Sequence, residues 1–373
     1  MKTLRYRVKF VTPAFLGNAF QKGQWRVPPF KALLRQWWRV AYAGEAQYDV
    51  DELRVAENRL FGSASDDGGN GSGKSRVRLR LSEWKHGRLE NDQWPGGTLN
   101  RVTTTRDGRG SVRSDVYLGF GSVLPPSKKQ KRKSIELQSP PAIAPGDSVE
   151  LNVQVMDDKD LKWIEKTIHL VHAFGVLGSR SRNGWGSLAV LPTGDTAFKP
   201  VTEVDSLRYV VRPIHKCFSE TWPHAIGLDD NNVPLIWKGK QDFASWHGAI
   251  DFLAEVKVAI RRAAKDFAGD GVGGIHLLGY PAGEKWTVKE WDAYNDKKQM
   301  RYACPLKFKV IELDRNRLRV IAVHLPHSLP DDLMELLTTN QKNWFMEKQP
   351  YVWKRIHQVL DRKIGRISQE NNI

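Results

Sequence analysis

Negative charge is what this chain has too little of. Its 373 residues include 42 Asp and Glu against 58 Lys and Arg, giving a formal net charge of +16 and a pI near 9.7. A deficit of that size points to a polyanionic partner, nucleic acid first, rather than to an unspecialised basic surface. Cysteine is scarce as well. Cys217 and Cys304 stand alone, too few for a disulfide framework and in keeping with thiols in a reducing cytosol. Long apolar runs are missing: no stretch approaches the ~20 apolar residues of a membrane span. The opening MKTLRYRVKF alternates basic and apolar residues and lacks the apolar centre of a signal peptide. These absences predict a cytoplasmic, soluble protein with no membrane contact. The length leaves room for two or three domains with a core.

The pattern of what is present predicts a mixed α+β chain. Residues 4–11 alternate with a period of two and read as a strand. Pro28 and Pro29 sit where a helix can begin, and FKALLRQWWRVAY follows with Phe30, Leu33, Leu34, Trp37 and Ala41 on one face. Lys31, Arg35, Trp38, Arg39 and Tyr42 share the neighbouring face. That face reads either as an RNA or subunit contact or as a solvated basic surface with Trp38 packed beneath it. A short helix over roughly 50–60 precedes a strand in SRVRLRLSEW, whose Val77, Leu79 and Leu81 alternate with Arg76, Arg78 and Arg80; Arg76 and Arg78 are expected RNA contacts.

Between that helix and that strand lies GGNGSGKS (68–75), a full match to the GxxxxGK[ST] phosphate loop. The match is a chance one. A phosphate loop runs from a buried strand into a helix whose N-terminal amides face the phosphates, whereas here a helix leads in and a strand leads out. Residues 83–145 read as an insertion, with nine basic and two acidic residues between 101 and 133. It holds the run KKQKRK, which reads as a tether touching RNA nonspecifically, and a strand-like SDVYLGFG. A strand over 146–155, a capped helix from about 157 and a strand at LAVL complete the first unit.

The order of elements over 1–195 is strand, helix, strand, strand, helix, strand, the ferredoxin-like β-α-β-β-α-β order. After a turn-rich linker over 192–206 a similar series begins. It runs through LRYVVRP as a strand, a long helix from Asp242, a hairpin across DRN and a closing helix over 349–362. Two tandem ferredoxin-like units, 1–195 and 207–373, are expected, the second without a clear last strand.

GVLGSRSRNGWGS (175–187) links the last helix to the last strand of the first unit. Its chemistry suits RNA. Glycines such as Gly178 permit close backbone approach, and Arg180 and Arg182 can pair with phosphates. Ser179, Ser181 and Asn183 offer hydrogen bonds, and Trp185 could stack on a base. A ferredoxin-like unit with such a loop in that place resembles the RAMP superfamily of CRISPR RNA-binding proteins. VTPAFLGNA, VPPFKALLRQWWR, LFGS followed by GKSRVRL, and HLLGYP narrow the resemblance to the first, two-domain subunits of Cmr complexes, the type III-B CRISPR assemblies for RNA-guided RNA silencing.

The resemblance implies a non-catalytic, cofactor-free subunit of the ribonucleoprotein. Such a subunit would cap one end near the 3′ part of the guide RNA, contacting guide RNA, target RNA and other RAMP subunits. Target-cutting RAMP subunits carry an aspartate between the first strand and first helix, where this chain has Asn18, Gln21 and Gln24. A metal-independent endoribonuclease of guide processing, using His169, His172 or His215, is the alternative. His215 and His224 flank Cys217, and His324 and His327 flank LP, without the repeated spacing of a zinc site. Asp229 and Asp230 precede two Asn and read as turn residues.

Overall fold

The computed structural model describes residues 1–63, 73–95, 99–105, 110–194, 196, 204–293, 300–314 and 317–367. Strand β1 (Lys2–Phe10) turns Leu4, Tyr6, Val8 and Phe10 inward and Thr3, Arg5 and Arg7 outward. Helix α1 (Val27–Tyr42) starts on its prolines and buries Phe30, Leu33, Leu34 and Trp37. In α2 (Val50–Phe61) the Asp49 side chain caps the first turn, accepting from the amides of Asp51 and Glu52. β2 (Val77–Leu81) follows, so a helix enters and a strand leaves the Gly-rich segment. Residues 64–72, which hold most of the GxxxxGK[ST] match, lie outside the described residues.

The insertion forms a hairpin of β3 (Arg101–Thr103) and β4 (Ser111–Arg113), helix α3 (Ser114–Gly119), and a second hairpin of β5 (Val123–Leu124) and β6 (Glu136–Leu137). SDVYLGFG is thus a helix rather than the expected strand. Asp115 is buried in its first turn, where it accepts from Trp94 Nε1 at 2.8 Å and pairs with Arg113 at 2.6 Å. The KKQKRK run is not a loose tether either. Ser127 and Arg132 exchange backbone hydrogen bonds of 3.0 Å, which folds it into a closed turn.

The first unit is completed by β7 (Ser148–Val155), α4 (Asp158–Phe174) and β8 (Leu188–Pro192). The sheet runs β2-β7-β1-β8, every neighbouring pair antiparallel, and α1 and α4 cover one face of it. The other face has no helical layer among the described residues.

The second half begins differently from expectation. LRYVVRP was predicted as a strand, but Val204–Val210 is a 3-10 helix and only β9 (Val211–Pro213) is extended. Leu207 and Val210 are buried together, a spacing of three that suits a 3-10 turn. α5 (Ile214–Cys217), β10 (Ile226–Leu228), β11 (Ile236–Lys238), α6 (Trp246–Lys265) and α7 (Lys289–Ala293) follow. After them come β12 (Leu306–Asp314), β13 (Arg317–His324), α8 (Asp331–Glu335) and α9 (Thr339–Lys363). β11, β13 and β12 form an antiparallel sheet in that order, and beyond β11 a single antiparallel bridge joins Trp237 to Arg366. The closing helix starts ten residues before the expected 349, at a capping box made by Thr338 and Gln341, and it carries Pro350 in its interior. A proline usually ends a helix, which is why the earlier turns were illegible.

The insertion packs on the second half rather than on its own sheet. Leu99, Val102, Val116 and Leu118 share a core with Ile250, Leu253 and Val258 of α6. Asp251 accepts the Asn100 amide at 3.0 Å, and Arg262 donates to the Thr103 carbonyl at 2.7 Å. Conversely, Ile236, Ile321, Val323 and Ile367 of the second half join the core beneath β1, α1 and α4. No helix among the described residues is long and apolar enough to cross a membrane.

Candidate nucleic-acid interface

The basic face of α1 is engaged within the protein. Arg35 Nε meets Glu57 Oε1 at 2.5 Å, and Arg39 forks onto both oxygens of the same carboxylate at 2.6 and 2.8 Å. Burial alone would raise the Glu57 pKa. The hydrogen bonds and charges of Arg39 and Arg35 outweigh it and hold the group below the usual carboxylate range. Lys31 is half-buried, and burial together with Arg35 lowers its pKa. Trp38 is core. It is 2% exposed, stacked on Tyr42 at 4.6 Å with its edge towards Phe61, so it offers no base a stacking face. A concavity of about 450 Å³ lies between α1 and α2, lined by Arg35, Arg39, Arg54, Glu57 and Trp222 among others, and no residue of the Gly-rich loop reaches it. The expected groove of helix face plus loop is therefore not formed. Arg76 is also spoken for: it pairs with Asp157 and, at 2.9 Å, with Asp160, fastening β2 to the start of α4. Arg78 stands exposed on the uncovered face of the sheet.

The Gly-rich loop is built against protein. Gly186 has φ +59°, and a Cβ there would fall 1.8 Å from the Leu177 carbonyl oxygen. Gly178, at φ +102°, presses on the Phe15 carbonyl in the same way. These glycines serve internal packing rather than ligand approach. Trp185 is fully buried, with ring centroids of Phe15, Trp94 and Trp246 5.4 to 5.8 Å away, so it too is excluded from stacking on RNA. Asn183 donates to the Leu118 carbonyl at 2.8 Å and forms a bridge to Phe308. Ser179 and Arg180 remain at the surface while Ser181 and Arg182 are half-buried. Ser179 exchanges a 2.9 Å hydrogen bond with Ser122, and Arg180 lies along Gly121. Phe120 beside them is 60% exposed.

Below this rim the loop meets β12 and α6, and there the structure gathers cations that the sequence reading missed. Lys257 is 9% exposed, Lys307 4% and Lys309 3%. Lys309 closes the C-terminal end of α4, donating to the carbonyls of Val171 (3.3 Å) and His172. Lys307 lies 4.9 Å over the Trp37 ring and Lys257 5.9 Å from the centre of Phe308. Among the described residues, neither lysine pairs with a carboxylate. Arg182 Nε is buried without a hydrogen-bond partner. Burial, with Arg182 nearby, brings the Lys307 pKa down to about 7, and burial does the same for Lys309. For Arg182 and Lys257 burial is again the leading cause of a lowered pKa. Arg301 is exposed at the mouth and acts on Arg180. Buried Lys257 and Lys307 and half-buried Arg182, with no carboxylate partner among the described residues, leave a seam of positive potential between the halves that suits phosphate.

The alternation in CPLKFKV hid the seam. Lys307 and Lys309 alternate with Phe308 and Val310 and read as the solvent side of a strand. That side is covered by α1 and α4 of the first unit.

Residues 7–189, from β1 into β8, match the model of the RAMP superfamily. This segment, the first half of the chain, is of the RAMP superfamily. A relative from Pyrococcus furiosus, the CRISPR system Cmr subunit Cmr1-2, is 23% identical over 188 residues, which is 50% of this chain and 93% of the relative. Among solved structures, the apo form of Cmr1 from Pyrococcus furiosus aligns at a TM-score of 0.45 and 13% identity, covering 94% of this chain and 97% of the other. A subunit from the type III-B Cmr-beta complex bound to cognate target RNA aligns at 0.44 and 12%, covering 96% and 99%.

Proposed function

We propose that this RAMP protein is a subunit of a cytoplasmic type III-B CRISPR (Cmr) complex. It binds guide and target RNA without cutting them and caps the end near the guide 3′ region. The reading treats 1–195 and 207–373 as two ferredoxin-like units. The second runs β11, α6, β12, β13, α9, with the Arg366 bridge as its vestigial last strand. The seam between the units is the observation that carries the proposal. Lys257 and Lys307 lie buried and Arg182 half-buried, without carboxylate partners among the described residues, beneath an open rim of Ser179, Arg180 and Arg301. Such a slot attracts a phosphodiester backbone and reads no base.

The loop between β1 and α1 supports a binding role over a cutting one. Asn18 Oδ1 accepts the amides of Phe20 (2.8 Å) and Lys22 (3.1 Å), so the residue at the place of a RAMP nuclease aspartate folds the loop. His172 is held between the amide and carbonyl of Val190 with its pKa lowered to about 4, chiefly by burial. It is the neutral imidazole at neutral pH and so no general acid. His215 is exposed.

The test is a labelled single-stranded RNA titrated with the whole chain in EDTA, each sample then run on a denaturing gel. Intact RNA, bound by the wild type and several-fold more weakly by Arg180→Ala/Arg182→Ala, is the expected result. Cleaved RNA that survives His172→Ala and disappears with His215→Ala would overturn the proposal in favour of the nuclease.

A further inference from the structure

The uncovered face of the first sheet carries arginines that meet no carboxylate among the described residues. On β1, Arg5 and Arg7 point outward, and on β2, Arg78 and Arg80 do the same. Register places them together: Asn152 of β7 lies between Arg5 and Arg80, and Gln154 between Thr3 and Arg78. The strands enclose a concavity of about 480 Å³ lined by Thr3, Arg5, Arg78, Arg80, Asn152 and Gln154, with Leu79 and Ser82 at its border.

The other layer of the same unit treats arginine differently. Arg35, Arg39, Arg59 and Arg76 all meet carboxylates, while Arg5, Arg7, Arg78 and Arg80 meet none among the described residues. Glu150, opposite Arg7, is the one carboxylate of this face on β7. Lys9, lower on the same face, is already taken by Glu312 at 2.5 Å. A charged sheet edge by itself needs only β2 to be basic. β1 lies inside the sheet, so its arginines call for another reason.

We infer that this sheet face is a second track for single-stranded RNA. It would grip phosphates through the four arginines and bases or sugars through Asn152 and Gln154. The face has no aromatic side chain on β1, β2 or β7 that could stack on a base. The track is therefore electrostatic, unlike sheets that read RNA by stacking. Its register also favours RNA over an acidic peptide. Arginines two apart along each strand and separated by an amide strand form a regular array, suited to a uniformly charged polymer.

This inference rests on the RNA-binding reading above but uses different residues, which lets the two be separated. The whole chain is titrated against a labelled oligouridylate at several salt concentrations. The variants are Arg5→Gln/Arg7→Gln, Arg78→Gln/Arg80→Gln, the seam variant Arg180→Ala/Arg182→Ala, and Lys159→Gln/Lys162→Gln on the exposed side of α4 as a charge control. Each sheet variant should make the slope of log K against log salt shallower by about 1.4, the loss of two single-strand phosphate contacts. The control should leave it unchanged. Photo-crosslinking of thiouridine-substituted RNA to the wild type should label peptides spanning 3–10, 76–82 or 150–156, whatever the variants do to folding. Wild-type slopes in both sheet variants, with no crosslink to these peptides, would overturn the inference while the seam variant still reports on the RNA reading. Unchanged slopes combined with loss of co-purifying subunits would overturn it in favour of a protein-docking face. Shallower slopes in the sheet variants alone would uphold it and remove the seam from the RNA reading. A wild type that binds no RNA would overturn both.

Discussion

Lys307 and Lys309 are two positions apart on one strand, and the burial of the pair has a cost that can be measured. Lys309 is repaid by the carbonyls at the end of α4, whereas Lys307, among the described residues, lies against the face of Trp37 without a carboxylate. Both have folded pKa values near 7 against an ordinary 10.5. Between those values the unfolded chain holds more protons, so stability rises with pH across the window and is lost as pH falls towards 7. Lys307→Met keeps the length of the side chain and removes the buried charge. It should raise Tm by roughly 2–4 °C at pH 6.5, with the gain shrinking by pH 10, while weakening RNA binding. Thermal melts at the two pH values check this, and an unchanged Tm at pH 6.5 would mean that folding does not penalise the Lys307 charge. The residues of the proposed seam were legible in part. The Arg180 and Arg182 positions follow from a Gly-rich loop between helix and strand, but Trp38 and Trp185 show that an aromatic beside arginines can equally be the floor beneath them.

At the scale of elements, α1 and α2 are joined by one carboxylate that serves two arginines. Glu57 is 5% exposed, while Arg35 and Arg39 keep a third or more of their side chains in water. Glu57→Gln should therefore cost about 1–2 kcal/mol rather than the larger penalty of a fully buried pair, since the freed guanidinium groups recover solvent. Denaturant melts at pH 7 measure it. In the wild type this contribution fades as pH falls through the lowered Glu57 pKa, below the ordinary 4.5, so variant and wild type should converge in acid. Periodicity made β1, α1, β2, β7 and α4 legible, because each buries one face only. It failed where tertiary packing sets the conformation. Val204–Val210 winds as a 3-10 turn, Ser114–Gly119 becomes helical around a buried Asp115, and α9 runs through Pro350.

The molecule as a whole is harder to divide than its sequence. The linear order of motifs marks two units, but the insertion of the first supplies Trp94, Leu99, Val102 and Val116 to the core of the second, and β13 returns Ile321 and Val323 to the first. A chain ending at residue 195 would expose the first set and leave uncovered the core surface that Ile321 and Val323 fill. It should fail to fold, whereas the full chain should unfold in one cooperative transition; calorimetry of the full chain and dye binding by the truncated one distinguish the cases. This exchange is invisible to local patterning, since nothing in residues 83–145 says which half they will cover. The join between the halves also bears on how the protein keeps company. β12 is the last strand of its sheet, and the Gly-rich loop lies along it, with the Phe308 amide donating to the Arg182 carbonyl and the Val310 amide to Ser187 Oγ. A strand rim that would otherwise invite a foreign chain is masked from within. The loop therefore guards against misassembly as well as shaping the basic seam, and any neighbouring subunit that joins by strand addition must do so elsewhere.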